Sequence, residues 1–171
     1  MSRPATSPAA IEAARAAWVG HKAGCQACQQ YQVKNVHFSS ATGEWATPEK
    51  TYLALHQEFG FTLDPCCTHD NAVCARHFTP EENGLARSWL GETVFMNPPY
   101  GREIYRWMEK AYQSSRNGAT VVCLVPARTD TKWWHDFAVH GEVRFLKGRL
   151  KFGGCKNNAP FPSAVVVFRG K

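Results

Sequence analysis

The chain has 171 residues, 44% of them hydrophobic, so it is long enough to form one domain with a substantial core. It has no apolar run of about 18 residues and no apolar N-terminal signal region, so we expect a cytoplasmic protein without a membrane span. Its seven cysteines are odd in number and lack the spacing of a disulfide framework.

The formal net charge of +6 is concentrated in the last quarter of the chain. Residues 126–171 carry nine Lys or Arg against three Asp or Glu, whereas the other 125 residues carry 11 of each. An excess at one end of a domain predicts a surface that faces a polyanion. A basic, solvated face without a partner is the alternative.

The first segment combines a predicted helix with a cysteine pair. The alanine-rich residues 11–19 favour a helix, and Cys25 and Cys28 follow in a Cys-x-x-Cys arrangement. These thiolates could hold a structural zinc ion, with His21 and His37 as further ligands. Because no second close pair follows, unligated cysteines are the simpler interpretation, and no metal ligand is assigned.

A helix is predicted next. Thr47 has the side chain of an N-cap residue, and Pro48 suits the first helical position. Gly60 is expected to end the helix.

An acid follows the next short strand, which is predicted at residues 61–63. Asp64 at the carboxyl end of this strand is well placed to bind the ammonium group of a ligand. A turn-initiating Asp before Pro65 is an equally simple alternative. Further on, residues 79–82 resemble a capping box and predict a short helix.

The run Asn97-Pro98-Pro99-Tyr100 lies between a predicted strand at residues 93–96 and a predicted helix. Apolar residues recur on one face of that helix at Ile104, Trp107, Met108 and Ala111. The carboxyl edge of strands in α/β sheets is where ligands bind. Two prolines remove two N–H donors and stiffen the turn, which suits an array of acceptors for an amino group. A rigid strand-end turn without chemistry is the alternative.

The remaining pattern alternates between strands and helices. Strands are predicted at residues 119–125, 143–146 and 164–168, and a helix at 133–137 is expected to bury its two tryptophans. A basic segment at residues 147–160 separates the last two strands. This order predicts an α/β fold with a mostly parallel sheet and helices on its faces.

The four-residue run resembles the (Asp/Asn/Ser)-Pro-Pro-(Tyr/Phe/Trp) motif of amino-methyltransferases that use S-adenosylmethionine. From about residue 36 to 168, the chain resembles the phage-encoded DNA N6-adenine methyltransferases of the small Dam-type family. The resemblance is carried by Phe38-Ser39-Ser40, Glu44-Trp45-Ala46-Thr47-Pro48, Phe61-Thr62-Leu63-Asp64, Asn71-Ala72-Val73-Cys74, Asn97-Pro98-Pro99-Tyr100-Gly101, Pro126-Ala127-Arg128-Thr129-Asp130-Thr131, Gly148-Arg149-Leu150-Lys151-Phe152 and Ala159-Pro160-Phe161-Pro162-Ser163.

The resemblance implies a compact Rossmann-like methyltransferase domain at residues 36–171, preceded by an N-terminal extension at residues 1–35. Asp64 and Asn97 are only 33 positions apart, about one βαβ unit, so the central sheet must be a reduced version of the full fold. No Gly-x-Gly turn follows the acid. Asn83 stands where the family leads us to expect an acid.

The resemblance also implies roles for individual residues. The catalytic residues would be Asn97, Pro98, Pro99 and Tyr100. The residues that bind S-adenosylmethionine would be Asp64, Pro65, Thr47, Pro48 and Asn97. The residues that contact double-stranded DNA would be Arg149, Lys151, Phe152, Lys147 and Arg128.

The implied reaction is direct methyl transfer to the N6 amino group of a flipped adenine, with Tyr100 stacked on the base. It would take place in the host cytoplasm if the protein is phage-encoded, with short or relaxed sequence specificity. Two alternatives stay open: a methyltransferase that modifies the N5 amide of protein glutamine, and a DNA-binding module that has lost catalysis. The oligomeric state is not predicted.

Overall fold

The computed structural model describes residues 45–153, 155 and 157–170. The predicted helix at residues 11–19 and the cysteine pair Cys25 and Cys28 lie outside the described residues. Within the described part, no helix is long and apolar enough to cross a membrane. No group of three or more His, Cys, Asp or Glu residues in that part could hold a metal ion.

The described elements include the predicted strands and the helices around residues 49–59, 104–116 and 132–136, together with a short strand at Arg76–His77 that the sequence does not predict. In chain order they are α1 (Glu49–Phe59), β1 (Leu63–Asp64), β2 (Arg76–His77), β3 (Thr93–Met96), α2 (Ile104–Arg116), β4 (Thr120–Pro126), α3 (Lys132–Asp136), β5 (Glu142–Phe145) and β6 (Ser163–Phe168). Short 3₁₀ helices lie at Gly84–Ala86 and Ala138–His140.

All six strands form one sheet in the order β2-β1-β3-β4-β6-β5. The pairs β1–β2, β1–β3 and β3–β4 are parallel, and β6 runs antiparallel between β4 and β5. The α/β fold is therefore confirmed, with a mixed sheet. Because β1, β3, β4 and β5 run in one direction, their carboxyl ends share one edge of the sheet.

Helices cover both faces of this sheet. The ring of Tyr52 in α1 lies 5.3 Å from that of Phe95 in β3. The ring of Tyr112 in α2 lies 5.8 Å from that of Phe168 in β6. Strand register puts Phe168 in the row of Val94, whose side chain faces away from that of Phe95. α1 and α2 therefore lie on opposite faces.

The apolar periodicity predicted most of the core. All residues of β4 after the first are buried, as expected for a strand covered on both faces. The apolar face predicted for α2 is buried at Ile104, Trp107, Met108 and Ala111. Trp133 and Trp134 in α3 are also buried.

α1 begins one residue later than predicted. Pro48 is its N-cap residue, and no side chain caps the helix. Thr47 does not cap α1 because its hydroxyl lies 3.0 Å from the side-chain nitrogen of Asn97, from which it accepts a hydrogen bond. Gly60 ends the helix as predicted, with a φ of 66° in the left-handed region that favours glycine.

The segment after Thr79 is a turn and a 3₁₀ helix, in place of the predicted α-helix. The backbone N–H of Thr79 donates to the carboxylate of Glu82 at 2.9 Å, which is half of the expected capping box. Asn83 then adopts a φ of 53° and leads into Gly84–Ala86. A Cβ on the first residue of that 3₁₀ helix would lie 2.0 Å from the carbonyl oxygen of Pro65, so only glycine fits there.

An arginine ties the edge strand β5 to α1. The guanidinium of Arg144 donates to both carboxylate oxygens of Glu58, at 2.7 and 2.8 Å. It also donates to Glu142 at 2.7 Å and lies 5.4 Å from the ring centre of Phe59. The side chain of Arg144 is 23% exposed, so these bonds are partly shielded from water.

Replacement of Arg144 should therefore destabilise the fold measurably. We expect Arg144→Gln to lower the free energy of unfolding by roughly 1–3 kcal/mol, because bidentate charged hydrogen bonds are lost. Chemical denaturation measures this change. The control is Arg106→Gln, whose exposed ion pair with Glu103 should be worth less than about 0.5 kcal/mol. Equal losses in the two variants would contradict a special role for Arg144.

Candidate active site

A cavity of about 250 Å³ opens at the carboxyl edge of β1 and β3. Among the described residues, five parts of the chain line it. They are residues 45–47 before α1, residues 64–68 at the end of β1 with Asn71, the turn with Thr79, Pro80 and residues 83–85, the residues Asn97 and Pro99 after β3, and the start of α2 with Glu103, Arg106 and Trp107. The parallel pairing of β1 and β3 brings Asp64 and the tetrad, Asn97-Pro98-Pro99-Tyr100, to one cleft, as expected for an α/β sheet.

Asp64 is a buried acid on the cavity wall, and its residue is 4% exposed. Its carboxylate accepts hydrogen bonds from the backbone N–H groups of Val73 at 3.2 Å and Cys66 at 3.4 Å. Burial raises the pKa of Asp64 to about 6, although these bonds partly oppose the rise. The carboxyl group is thus ionised near pH 7 and lies in a shielded place that favours a cationic ligand.

The thiols beside this acid are neutral. Cys66 and Cys67 both line the cavity. Burial, and next to it the negative charge of Asp64, raises the pKa of both thiols. Neither side chain therefore supplies a thiolate nucleophile at neutral pH.

The side-chain amide of Asn97 has one orientation. Its nitrogen donates to the carbonyl oxygen of Trp45 and to the hydroxyl oxygen of Thr47, the latter at 3.0 Å. Its oxygen accepts from the Tyr100 hydroxyl at 2.7 Å. Because a carbonyl can only accept, the contact with Trp45 identifies the nitrogen. An amide oxygen has two acceptor positions, and Tyr100 occupies one of them.

Tyr100 is the last residue of the tetrad, and its side chain does not line the cavity. The residue is 7% exposed, and its hydroxyl oxygen lies 3.1 Å from the carbonyl oxygen of Leu124 in β4. Its ring packs edge-on against Phe152 and Phe161, with ring centres 6.0 and 5.5 Å away. In this conformation the ring is covered, so the predicted stacking surface for a base is not presented.

The predicted cofactor residues largely meet at the cavity. Thr47, Asp64, Pro65 and Asn97 line it, whereas Pro48 caps α1 and does not line it. Pro99 also lines the cavity, and Pro98 is buried beside it.

The predicted DNA contacts divide into exposed cations and one buried ring. Arg128, Lys147, Arg149 and Lys151 are exposed. Arg128 follows β4 and Lys147 follows β5, and these strands end at the same edge as β3. Phe152 is only 1% exposed, so its ring contributes to the core and not to the surface.

Sequence reasoning missed several cavity residues. Trp45 contributes a carbonyl oxygen, and no sequence pattern identifies a backbone acceptor. Thr79 was predicted only as a helix start, yet it lines the cavity. Glu103 and Arg106 could have been found, because the first turn of a helix that follows a strand-end motif lies beside the same edge.

Comparison with known proteins agrees with this geometry. The family model described as DNA N-6-adenine-methyltransferase (Dam) matches residues 36–167. A DNA N-6-adenine-methyltransferase of Haemophilus phage HP1 (strain HP1c1) is 35% identical over 138 residues, which cover 74% of this chain and 79% of the relative. A DNA N-6-adenine-methyltransferase of Escherichia phage T1 is 31% identical over 93 residues, which cover 53% of this chain and 38% of the relative. The chain therefore belongs to the DNA N-6-adenine-methyltransferase (Dam) family.

Proposed function

We propose that the protein transfers a methyl group from S-adenosylmethionine directly to the N6 amino group of adenine in double-stranded DNA. The observation that carries this proposal is the oriented amide of Asn97 on the same cavity as the buried acid Asp64. The side-chain oxygen of Asn97 can accept a hydrogen bond from the amino group of a base, and the carboxylate of Asp64 can bind an ammonium group. Membership of the Dam family supports adenine in DNA as the substrate. The protein would act in the cytoplasm, where the host DNA lies.

The lining of the cavity is chemically suited to S-adenosylmethionine. The carboxylate of Asp64 would bind the ammonium group of the methionine part, and Thr47 and Pro65 would lie along the same part. The apolar side chains of Leu85 and Trp107 would contact the adenine ring of the cofactor. When bound, the cofactor supplies an electrophilic methyl group on a positively charged sulfur.

The tetrad would position the adenine amino group. Asn97 has a second acceptor position on its side-chain oxygen, and the carbonyl oxygen of Pro98 would supply another acceptor. Two such bonds favour a localised lone pair on the amino nitrogen, directed at the methyl group. Positioning and fixed dipoles are the main demands on the protein in such a transfer.

Tyr100 has two roles in this proposal. In the described conformation its hydroxyl supports the oxygen of Asn97. Stacking of a flipped base on its ring would require Phe152 and Phe161 to move away. In its displaced position, the Phe152 ring would cover the opposite face of the flipped base.

The exposed cations would hold the DNA backbone. Arg128, Lys147, Arg149 and Lys151 extend from the edge of the sheet at which the tetrad lies. Contacts from these side chains to phosphates carry no sequence information by themselves. We therefore propose short or relaxed sequence specificity.

Asn97→Ala should abolish methyl transfer. We expect a rate at least about 100-fold below that of the wild type, since the acceptor that localises the lone pair is lost. Labelled S-adenosylmethionine, unmethylated plasmid and nucleoside analysis of the product measure the reaction. Asn117→Ala is the matched control, because Asn117 is exposed at the far end of α2. A wild type that methylates a protein glutamine and no plasmid would favour the first alternative, and one that binds DNA but no cofactor would favour the second.

Cofactor affinity should depend on pH through Asp64. Below its pKa of about 6 the carboxyl group is neutral, so binding of a cation should weaken as the pH falls from 7 to 5. Asp64→Asn should bind at least about 10-fold more weakly at pH 7 and lose this dependence. Calorimetry with S-adenosylmethionine measures both effects. A parallel pH dependence in wild type and variant would exclude Asp64 as the ammonium ligand.

The stability of the cofactor-free protein should show the opposite trend. The folded-state pKa of Asp64 is raised from 3.8 to about 6, so the folded state binds the proton more tightly than the unfolded state. The free energy of unfolding should therefore fall as the pH rises from about 4 to about 6. Asp64→Asn should remove this part of the slope in denaturation experiments.

Loss of the exposed cations should reduce the salt dependence of DNA binding. The logarithm of the binding constant falls with the logarithm of the salt concentration, and each phosphate contact removed makes this slope shallower by about 0.9. We therefore expect a clearly shallower slope for Arg149→Gln with Lys151→Gln, measured by fluorescence anisotropy. Arg116→Gln is the control, because Arg116 ends α2 at the opposite edge of the sheet. An unchanged slope in the double variant would place the DNA elsewhere.

A further inference from the structure

The hydroxyl of Thr47 serves the tetrad and not the helix that it precedes. α1 has no side-chain cap, although Thr47 and Pro48 have the sequence of a helix start. The Thr47 hydroxyl oxygen instead lies 3.0 Å from the side-chain nitrogen of Asn97, 50 positions away. The Thr47 side chain therefore contacts Asn97 in place of capping α1.

The Trp45 carbonyl selects one orientation of the Asn97 amide, and the Thr47 hydroxyl strengthens it. The nitrogen has two hydrogens, and they are directed at the Trp45 carbonyl oxygen and the Thr47 hydroxyl oxygen. If the amide turned by half a rotation, its oxygen would face the carbonyl oxygen of Trp45. Two acceptors would then oppose each other and the bond to Trp45 would be lost, while the Thr47 hydroxyl would have to turn and donate.

The segment that carries these acceptors is itself fixed. The backbone N–H of Gly153 donates to the carbonyl oxygen of Ala46 at 2.8 Å, so residues on both sides of Ala46 are held. The ring of Trp45 packs on Phe152 and Phe161, with ring centres 5.2 and 5.4 Å away. Trp45 and Thr47 therefore form a rigid support for Asn97.

We infer that Thr47 is a positioning residue for methyl transfer. Its hydroxyl, together with the carbonyl of Trp45, holds the Asn97 amide so that the oxygen faces the adenine amino group. This inference rests on the proposed function and gives Thr47 a role distinct from contact with the cofactor. The role predicts that removal of the hydroxyl lowers the rate of the transfer step when both substrates are saturating.

Kinetics on two variants test the role of the hydroxyl. Thr47→Val keeps the shape of the side chain and removes the hydroxyl, whereas Thr47→Ser keeps the hydroxyl. With saturating DNA and S-adenosylmethionine, we expect a single-turnover rate at least about 10-fold lower for Thr47→Val, and within about 3-fold of the wild type for Thr47→Ser. The Kd of DNA should stay within about 2-fold in both variants, and any loss of cofactor affinity in Thr47→Val is compensated by the saturating cofactor, so it leaves the measured rate unaffected. A weaker Kd for the cofactor with an unchanged saturated rate would overturn the inference.

A second measurement needs neither DNA nor cofactor. The side-chain amide resonances of Asn97 can be assigned in ¹⁵N-labelled protein by their absence from Asn97→Ala. In Thr47→Val these resonances should shift and exchange with solvent faster, and Thr47→Ser should restore them. Unchanged chemical shifts and exchange rates in Thr47→Val would overturn the inference. If they respond but the wild type methylates no DNA, the contact stands and the proposed function fails.

Discussion

The side-chain amide of Asn97 joins parts of the chain that sequence separates widely. Its nitrogen reaches back to Trp45 and Thr47, and its oxygen reaches Tyr100, whose hydroxyl lies close to Leu124 of the next strand. Through these few bonds, the approach to α1, the end of β3 and the middle of the sheet share one geometry. The tetrad is therefore more than a stiff turn, because hydrogen bonds from its first residue link the segment before α1 to the end of β3.

The site also separates charge by depth. Asp64 lies inside the cavity, where burial raises its pKa, and the cations Arg128 and Lys147 lie outside at the same edge of the sheet. Water screens the outer charges, which suits reversible contact with a polyanion. The buried acid is screened little, so a single cationic group can bind there with few partners. One edge of the sheet can thus accept two ligands of opposite charge without mixing their contacts.

Local sequence patterns predicted the elements well, and long-range contacts were beyond them. The spacing of apolar residues predicts the buried face of α2, and the continuous apolar run predicts the burial of β4 on both faces. The antiparallel direction of β6 does not, since no pattern within a strand encodes the direction of its neighbour. Thr47 looked like a helix cap because local propensity favours that role, and a bond to a residue 50 positions away prevailed. The resemblance implies that Phe152 contacts DNA, yet its ring joins a buried aromatic cluster, which no local pattern reveals.

The backbone carbonyl of Trp45 has an evolutionary consequence. A main-chain acceptor persists whatever side chain residue 45 carries, so substitutions there leave its demand for a donor in place. Asparagine at position 97 meets this demand with its amide nitrogen, whereas an aspartate would set a carboxylate oxygen against the carbonyl. The motif that this run resembles also admits aspartate at its first position, so in this chain the Trp45 carbonyl adds a restriction of its own. An aspartate would be better tolerated in a chain whose residues 45–47 followed a different path.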